Sequence, residues 1–264
     1  MYERDDDMKL AVGSISAYPS NLSVCCLESK NITYACVAHK TQVNHRFTTD
    51  RSLLWNSFCR GITWNDNFIL VGTSSGRIIQ FQCNGETSIV TKKCLRVCLI
   101  TDMATCRYNE VTCSCDCSGT IIVWNKCFKG VQLKMATQHP ITVVNVLHKQ
   151  VIVGTLRGRV LFFSISTGEL IAEVFAHARS VTCVSVAPEA AYVLTGSEDG
   201  RFIVYKLHMM KAQTFQVEYR YCDELPNCAI MGAQFTNSRG SNIVVACFDR
   251  NALYGYHMVR NTAG

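Results

Sequence analysis

The chain is short of proline, short of charge and without long apolar runs, and each shortage removes a class of protein. Four prolines in 264 residues, with glycine scattered singly, leave no linker or low-complexity tract and point to one domain. Charged residues make up 17% against 48% hydrophobic, the reverse of the balance in a disordered chain. The longest apolar stretches, such as Val160–Phe163 and Ile121–Trp124, have the length of strands and are far too short to cross a bilayer as helices. No long amphipathic helical pattern interrupts the series, which favours an all-β fold over α/β. Met1–Leu10 carries Glu3, Asp5, Asp6 and Asp7 but no apolar core, so a secretory signal is not expected and the chain is read as cytoplasmic.

Catalytic and ligand motifs are equally scarce. The seven histidines form no H-E-x-x-H or comparable spacing, and no Walker loop or dinucleotide fingerprint occurs. No metal or cofactor is therefore expected. Gly72-Thr-Ser74-Ser-Gly76 matches the G-x-S-x-G nucleophile elbow. That elbow needs a strand–turn–helix, whereas Arg77–Phe81 reads as a strand, so Ser74 is read as a turn residue. Glu198 and Asp199 are adjacent in a hairpin and point to opposite sides, which argues against shared acid–base work.

Cysteine is plentiful: sixteen residues, with one dense cluster at Cys113, Cys115 and Cys117. That C-x-C-x-C spacing is not the C-x-x-C knuckle of zinc sites. Strand alternation puts all three thiols on one face, where cysteine packs as a small hydrophobe.

What is present is a repeat. An apolar run leads to a small-residue turn, then a second apolar run closes on an aromatic. Four copies turn at Gly76, Gly119, Gly158 and Gly200, and a fifth at Asn251, with aromatics at Phe81, Trp124, Phe163, Tyr205 and Tyr256. The aromatic always follows the turn by five positions, and successive turns are 43, 39, 42 and 51 residues apart. Glycine, or asparagine in its place, supplies the positive φ of a tight hairpin. Upstream, His139–Val144 and His177–Val186 read as the innermost strands of the third and fourth blades, and Ile171–Phe175 as an outer strand of the third. Such four-stranded sheets bury their faces only by stacking on one another.

The fourth copy, Ala176-His177 followed by Leu194-Thr-Gly-Ser-Glu-Asp-Gly-Arg-Phe-Ile-Val-Tyr205, resembles the WD-repeat family. The resemblance implies a β-propeller of about five to six blades and a hydrogen-bonded set of His177, Thr195 and Asp199, with Tyr205 in place of tryptophan. The Trp-Asp ending is nowhere intact: Trp124 precedes Asn125, Tyr205 precedes Lys206, and Phe81 precedes Gln82. Ser118 and Arg157 stand where the second and third copies would carry the turn aspartate. One branch of the family is resembled more narrowly, through Asn21–Val24, Asn31–Tyr34, Val71–Arg77, Ala176–Arg179 and Met231–Phe235. Against that branch the chain lacks about a blade's worth of sequence between Gln42 and Asn56. The expected organisation is an acidic tail at 1–18, a propeller at 19–258 and a tail at 259–264.

Net charge is +6, and its placement is more telling than its size. Arg77, Arg159 and Arg201 each follow a turn glycine, and Arg157 and Arg250 lie within turns. Two readings stand: solvated turn positions, or a basic rim for an acidic or phosphorylated peptide, since arginine pairs bidentately with carboxylate and phosphate. Nothing organises chemistry, so a non-enzymatic protein-interaction scaffold is expected. The alternative, an RNA-binding propeller, lacks a basic stripe interleaved with aromatics. Resemblance adds self-association and peripheral work at vesicles or membranes.

Overall fold

Residues 1–10, 22–27, 32–37, 59–65, 68–82, 90–93, 98–106, 108, 111–125, 128, 130–209 and 215–259 are described by a computed structural model. The expected deletion between Gln42 and Asn56 lies outside these residues, as do the boundary near residue 18 and all but the first residue of the C-terminal tail. Every regular element among the described residues is a β-strand.

In chain order the first strands are β1 (Tyr2–Arg4), β2 (Met8–Lys9), β3 (Leu22–Leu27) and β4 (Ile32–Val37). Three sheets follow: β5 (Cys59–Asn65), β6 (Phe68–Thr73), β7 (Arg77–Gln82) and β8 (Val90–Lys93); β9 (Ile100–Cys106), β10 (Val111–Asp116), β11 (Thr120–Trp124) and β12 (Val131–Ala136); β13 (Ile141–Leu147), β14 (Gln150–Thr155), β15 (Arg159–Ser164) and β16 (Leu170–Phe175). The fourth is β17 (Val181–Ala187), β18 (Tyr192–Ser197), β19 (Arg201–Met209) and β20 (Phe215–Glu224). The fifth is β21 (Ile230–Phe235), β22 (Asn242–Cys247) and β23 (Ala252–Met258), with β1 and β2 both paired to β23. A separate two-stranded sheet pairs β3 with β4. Four of the sheets are four-stranded antiparallel meanders, which makes them the blades of a WD-repeat propeller.

The amino-terminal residues therefore differ from the acidic tail expected of them. Tyr2–Arg4 and Met8–Lys9 are strands that occupy the open edge of β23, with Tyr2 opposite Met258 and Met8 opposite Leu253. The acidic residues between them do not prevent this, because an edge strand keeps one side in water.

Burial within each sheet explains the sequence pattern. β10, β11, β14 and β18 are buried along nearly their whole length, whereas β12 and β16 are mostly exposed or half-buried. A middle strand covered on both faces is selected as a continuous apolar run, and an edge strand is not.

The chain forms two compact units, one of residues 1–43, 157–160 and 171–264, the other of 44–156 and 161–170. In the second, β9 packs against both β5 and β13, and the core gathers Cys113, Ile121, Val123, Val144, Val153 and Leu161. In the first, β21 packs against both β17 and β3, around Leu194, Phe202, Val204, Ile230, Val245 and Tyr256.

Polar side chains complete these strand-to-strand joints. The Asp102 carboxyl group accepts from the Val144 amide at 3.0 Å, and the Ser185 hydroxyl from the Phe235 amide at 3.1 Å. Gln234 accepts from the Val24 amide at 2.7 Å and donates to the Leu22 carbonyl at 2.9 Å. An edge strand has backbone groups with no ladder partner, and each of these side chains supplies one from the neighbouring sheet.

Candidate functional site

Two features recur at the ends of the sheets, a hairpin turn and the loop that packs beneath it. Gly76, Gly119, Gly158 and Gly200 all have positive φ, from 75 to 91°, as the hairpins demand. In the fifth copy the left-handed residue is Asp249 (φ 51°) and not Asn251. Aspartate tolerates this conformation for the same reason asparagine does, a short polar side chain near its own backbone, so the turn survives with its centre moved by two residues.

The glycines also form joints. The Gly119 carbonyl accepts from the Thr137 amide at 2.7 Å, that of Gly158 from His177 at 3.0 Å, and that of Gly200 from Leu225 at 2.9 Å. A Cβ on Gly158 would stand 2.0 Å from the His177 carbonyl oxygen, and one on Gly200 2.8 Å from that of Cys228. Each hairpin is thereby bonded to the loop that leads into the next sheet. Ser74 sits in one such turn: the Gly76 amide donates to the Thr73 carbonyl at 3.1 Å, and a strand, not a helix, follows.

His177, Thr195 and Asp199 meet below the fourth hairpin. His177 Nδ1 is 3.2 Å from Asp199 Oδ2, and Nε2 is 3.0 Å from Thr195 Oγ1. The Ala178 and Arg201 amides each donate to the same carboxylate at 2.9 Å. Partial burial raises the Asp199 pKa, but the His177 hydrogen bond and the two amides outweigh it and hold the carboxyl at about 2. Both side chains are enclosed, at 0% and 10% exposure, so the set fastens the loop to the turn and offers nothing to a substrate.

Tyr205 is buried opposite Val193, yet no hydrogen bond joins it to the other three among the described residues. The tryptophan link occurs instead in the second sheet, where Trp124 Nε1 donates to the buried Ser114 hydroxyl at 2.9 Å. Ser114 and Thr195 hold equivalent places, opposite Ile122 and Ile203. An indole donates from the side of its ring and a phenol from its tip, so exchange of Trp for Tyr moves the donor.

The second hairpin also has an aspartate that the sequence pattern did not reveal. Asp116 Oδ1 accepts from the Ser118 amide at 2.9 Å, the Ser118 hydroxyl at 2.6 Å and the Thr120 amide at 3.0 Å. The carboxylate enters from the strand end and not from the turn position. It also ends β10 before Cys117, which is exposed and does not share the buried face of Cys113 and Cys115.

The five arginines divide into two kinds. Arg159 forms an ion pair with Glu173 and stacks 4.6 Å over the Phe175 ring, and Arg201 pairs with Glu224 at 2.9 Å. Both carboxylates lie on the outer strand of the same sheet. Arg77 and Arg157 are exposed, with no ion pair recorded for either among the described residues. Arg250 donates to the Asn227 carbonyl at 3.2 Å.

These sheets, turns and polar links are those of WD repeats, and the sequence model of the WDR54 family matches residues 41–259. The chain belongs to the WDR54 family. WD repeat-containing protein 54 of Mus musculus is 28% identical over 214 residues, covering 76% of this chain and 63% of that protein. This chain thus spans less than two thirds of the length of the curated relatives it matches first. The Pre-rRNA-processing protein IPI3 of Mycosarcoma maydis is 46% identical over 54 residues, 20% of this chain and 9% of its own length. The crystal structure of the computationally designed Ika8 protein superposes with a TM-score of 0.60 at 18% identity, over 76% of this chain and 58% of that one. At that identity the likeness is one of fold. Among the described residues of this WDR54 family member, no helix is long and apolar enough to cross a membrane.

Proposed function

We propose that the chain is a non-enzymatic scaffold that binds acidic or phosphorylated segments of partner proteins through its hairpin turns. The observation that carries this reading is the bonded hairpin-and-loop joint at Gly158, which holds Arg157 at the surface on fixed backbone, while Arg250 is tied to the Asn227 carbonyl by its own side chain. A turn braced by a neighbouring loop loses little conformational freedom on binding, and a preorganised guanidinium recognises carboxylate or phosphate in two-point contacts. Membership of a WD-repeat family supports protein binding in general. Arg157 and Arg250 are the contact residues in this proposal. Arg159 and Arg201 are not, because Glu173 and Glu224 already neutralise them. Self-association and peripheral attachment to vesicles belong to the same proposal on resemblance alone.

The test is fluorescence polarisation against a panel of acidic and phosphorylated peptides. Arg157→Glu and Arg250→Glu should each weaken the strongest binder at least tenfold, while Arg201→Ala leaves it unchanged. Equal binding by all variants counts against the arginine surface. The likeness to a pre-rRNA-processing protein keeps one rival in the design. RNA affinity that falls steeply with salt and exceeds that for every peptide would replace the scaffold reading.

A further inference from the structure

The described cysteines lie in environments that differ in kind. Cys113, Cys115 and Cys183 are sealed inside sheets, where burial pushes their thiols up, Cys183 to about 12. Cys222 on β20 is half-buried and is also raised, by burial first and by Asp223, Asp199 and Glu224, against a lowering from Arg201. Thiols held protonated in this way are poor nucleophiles.

Cys228 is placed differently. It lies in the segment between β20 and β21, partly exposed. It packs against the edge of the core cluster that contains Cys247, and the Arg250 guanidinium and the Cys247 thiol are its electrostatic neighbours. Arg250 is anchored beside it by the bond to the Asn227 carbonyl, so a cation faces the sulfur from the solvent side. Cys247 approaches from the interior. It is the last residue of β22, buried and opposite Ile230. The Phe248 amide donates to the Ala229 carbonyl at 2.8 Å, which carries strand pairing to within one residue of both cysteines. Burial, followed by the neighbouring Cys228, pushes the Cys247 thiol up.

We propose that Cys228 and Cys247 are a dithiol oxidised by hydroperoxides, with Cys228 as the attacking sulfur and Cys247 as the resolving one. The Cys228 thiolate attacks one oxygen of the hydroperoxide, and the O–O bond breaks. Sulfur becomes a sulfenic acid, and the departing oxygen leaves with the thiol's proton as water or an alcohol. Cys247 then attacks the Cys228 sulfur as its proton passes to the departing oxygen. The S–O bond breaks, water departs, and a disulfide joins the two. Two electrons pass from the thiols to the peroxide. Arg250 stabilises the attacking anion and the negative charge that builds on the leaving oxygen. A partly exposed sulfur beside a cation, backed by a second sulfur, is the arrangement that favours reversible oxidation over further steps to sulfinic acid. The pair shares Arg250 with the proposed peptide contacts, but its readout is thiol oxidation and not peptide binding, so either reading can fail without the other.

The experiment uses the full chain, reduced and then treated with a small excess of hydrogen peroxide before free thiols are blocked. Cleavage after Arg and Glu separates Cys222 from Cys228, because Glu224 lies between them. Mass spectrometry should find the Cys228 and Cys247 peptides linked, two hydrogens lighter than their sum, and released by dithiothreitol. Cys247→Ser should accumulate a sulfenic acid at Cys228 that dimedone traps, and Cys228→Ser should abolish the link. Arg250→Met should slow oxidation several-fold without lowering the melting temperature. The proposal is overturned if Cys117 or Cys222 oxidises first while the link stays absent. It is equally overturned if dimedone labels Cys228 of Cys247→Ser no faster in the folded chain than in urea.

Discussion

The imidazole of His177 bridges Asp199 and Thr195, 3.2 Å from one and 3.0 Å from the other, and so ties the loop before β17 to both β18 and the turn after it. Asp199→Ala removes the acceptor of the imidazole and of the Ala178 and Arg201 amides together. Leaving such groups without partners costs about 1–3 kcal/mol, and urea denaturation should show a loss of that size. Asp199→Asn should fall between the variant and the parent.

The same carboxylate gives an acid limit. Its pKa in the folded chain, about 2, lies below its ordinary value of 3.8, so the native state favours the ionised form. The stabilisation is complete above pH 4 and fades as pH falls through 2. Denaturation midpoints measured between pH 5 and pH 2 should drop more steeply for the parent than for Asp199→Ala.

Asp102 behaves in the opposite sense. It is partly buried, and desolvation raises its pKa from 3.8 to about 7 in spite of amide bonds from Val144 and Met103. The folded chain therefore keeps a proton that the unfolded chain releases. Stability contributed by this group is present below pH 4 and is lost as pH rises to 7, by roughly 4 kcal/mol in all. Asp102→Asn cannot ionise, so it should flatten the stability profile between pH 4.5 and 7.5. A parent profile as flat as the variant's would show that Asp102 is ionised throughout.

The turns were legible in sequence because they repeat and because only a few residues adopt a positive φ. Gly76, Gly119, Gly158 and Gly200 stand at the hairpins for that reason. The joints between sheets were not legible. Asp102, Ser185 and Gln234 perform one task with three unlike side chains, so no residue pattern marks it. Gly72 and Gly196 mark places of close packing. Both precede a hydroxyl residue near a turn, and a Cβ there would lie 2.5 Å from the Arg60 carbonyl oxygen and 2.6 Å from the Cys183 sulfur. The strands β1 and β2 were hidden by charge, because an edge strand need bury only one face. Among the site residues, His177, Thr195 and Asp199 meet, and Tyr205 stays apart, since spacing places a residue in a strand but not its donor atom.

Two glycines with nearly equal φ separate backbone strain from close contact. Gly158 has φ +77° and Gly168 +76°, so alanine carries the same conformational penalty of about 1–2 kcal/mol at either. At Gly168 the nearest atoms are the flexible ends of Leu133 and Met135, 3.3 Å or more away. At Gly158 the new Cβ meets the His177 carbonyl oxygen at 2.0 Å, and backbone must move. Gly168→Ala should lose little beyond the shared penalty. Gly158→Ala should lose at least twice as much and shift the His177 imidazole resonances. Equal melting temperatures for the two variants would mean that the joint is loose.

The amino-terminal latch can be tested through Tyr2. Its hydroxyl donates to the Gly240 carbonyl at 2.5 Å, its ring packs 5.3 Å from that of Tyr221, and it is buried. Around it, the Val259 amide donates to the Met1 carbonyl at 2.9 Å and the Asp5 amide to that of Gly255 at 2.8 Å. Tyr2→Phe loses one buried hydrogen bond and strands the Gly240 acceptor, about 1–2 kcal/mol. Removal of residues 1–10 goes further, because it uncovers the edge of β23 along with the rings of Tyr221 and Tyr254, over which Arg4 lies at 4.8 Å. Hydrogen exchange should then rise across Ala252–Met258 and leave Val181–Ala187 protected, since β17 is paired to β18 in another sheet. Uniformly faster exchange in both strands would instead mean that the latch holds the whole unit folded, and unchanged exchange in β23 would mean that it holds nothing.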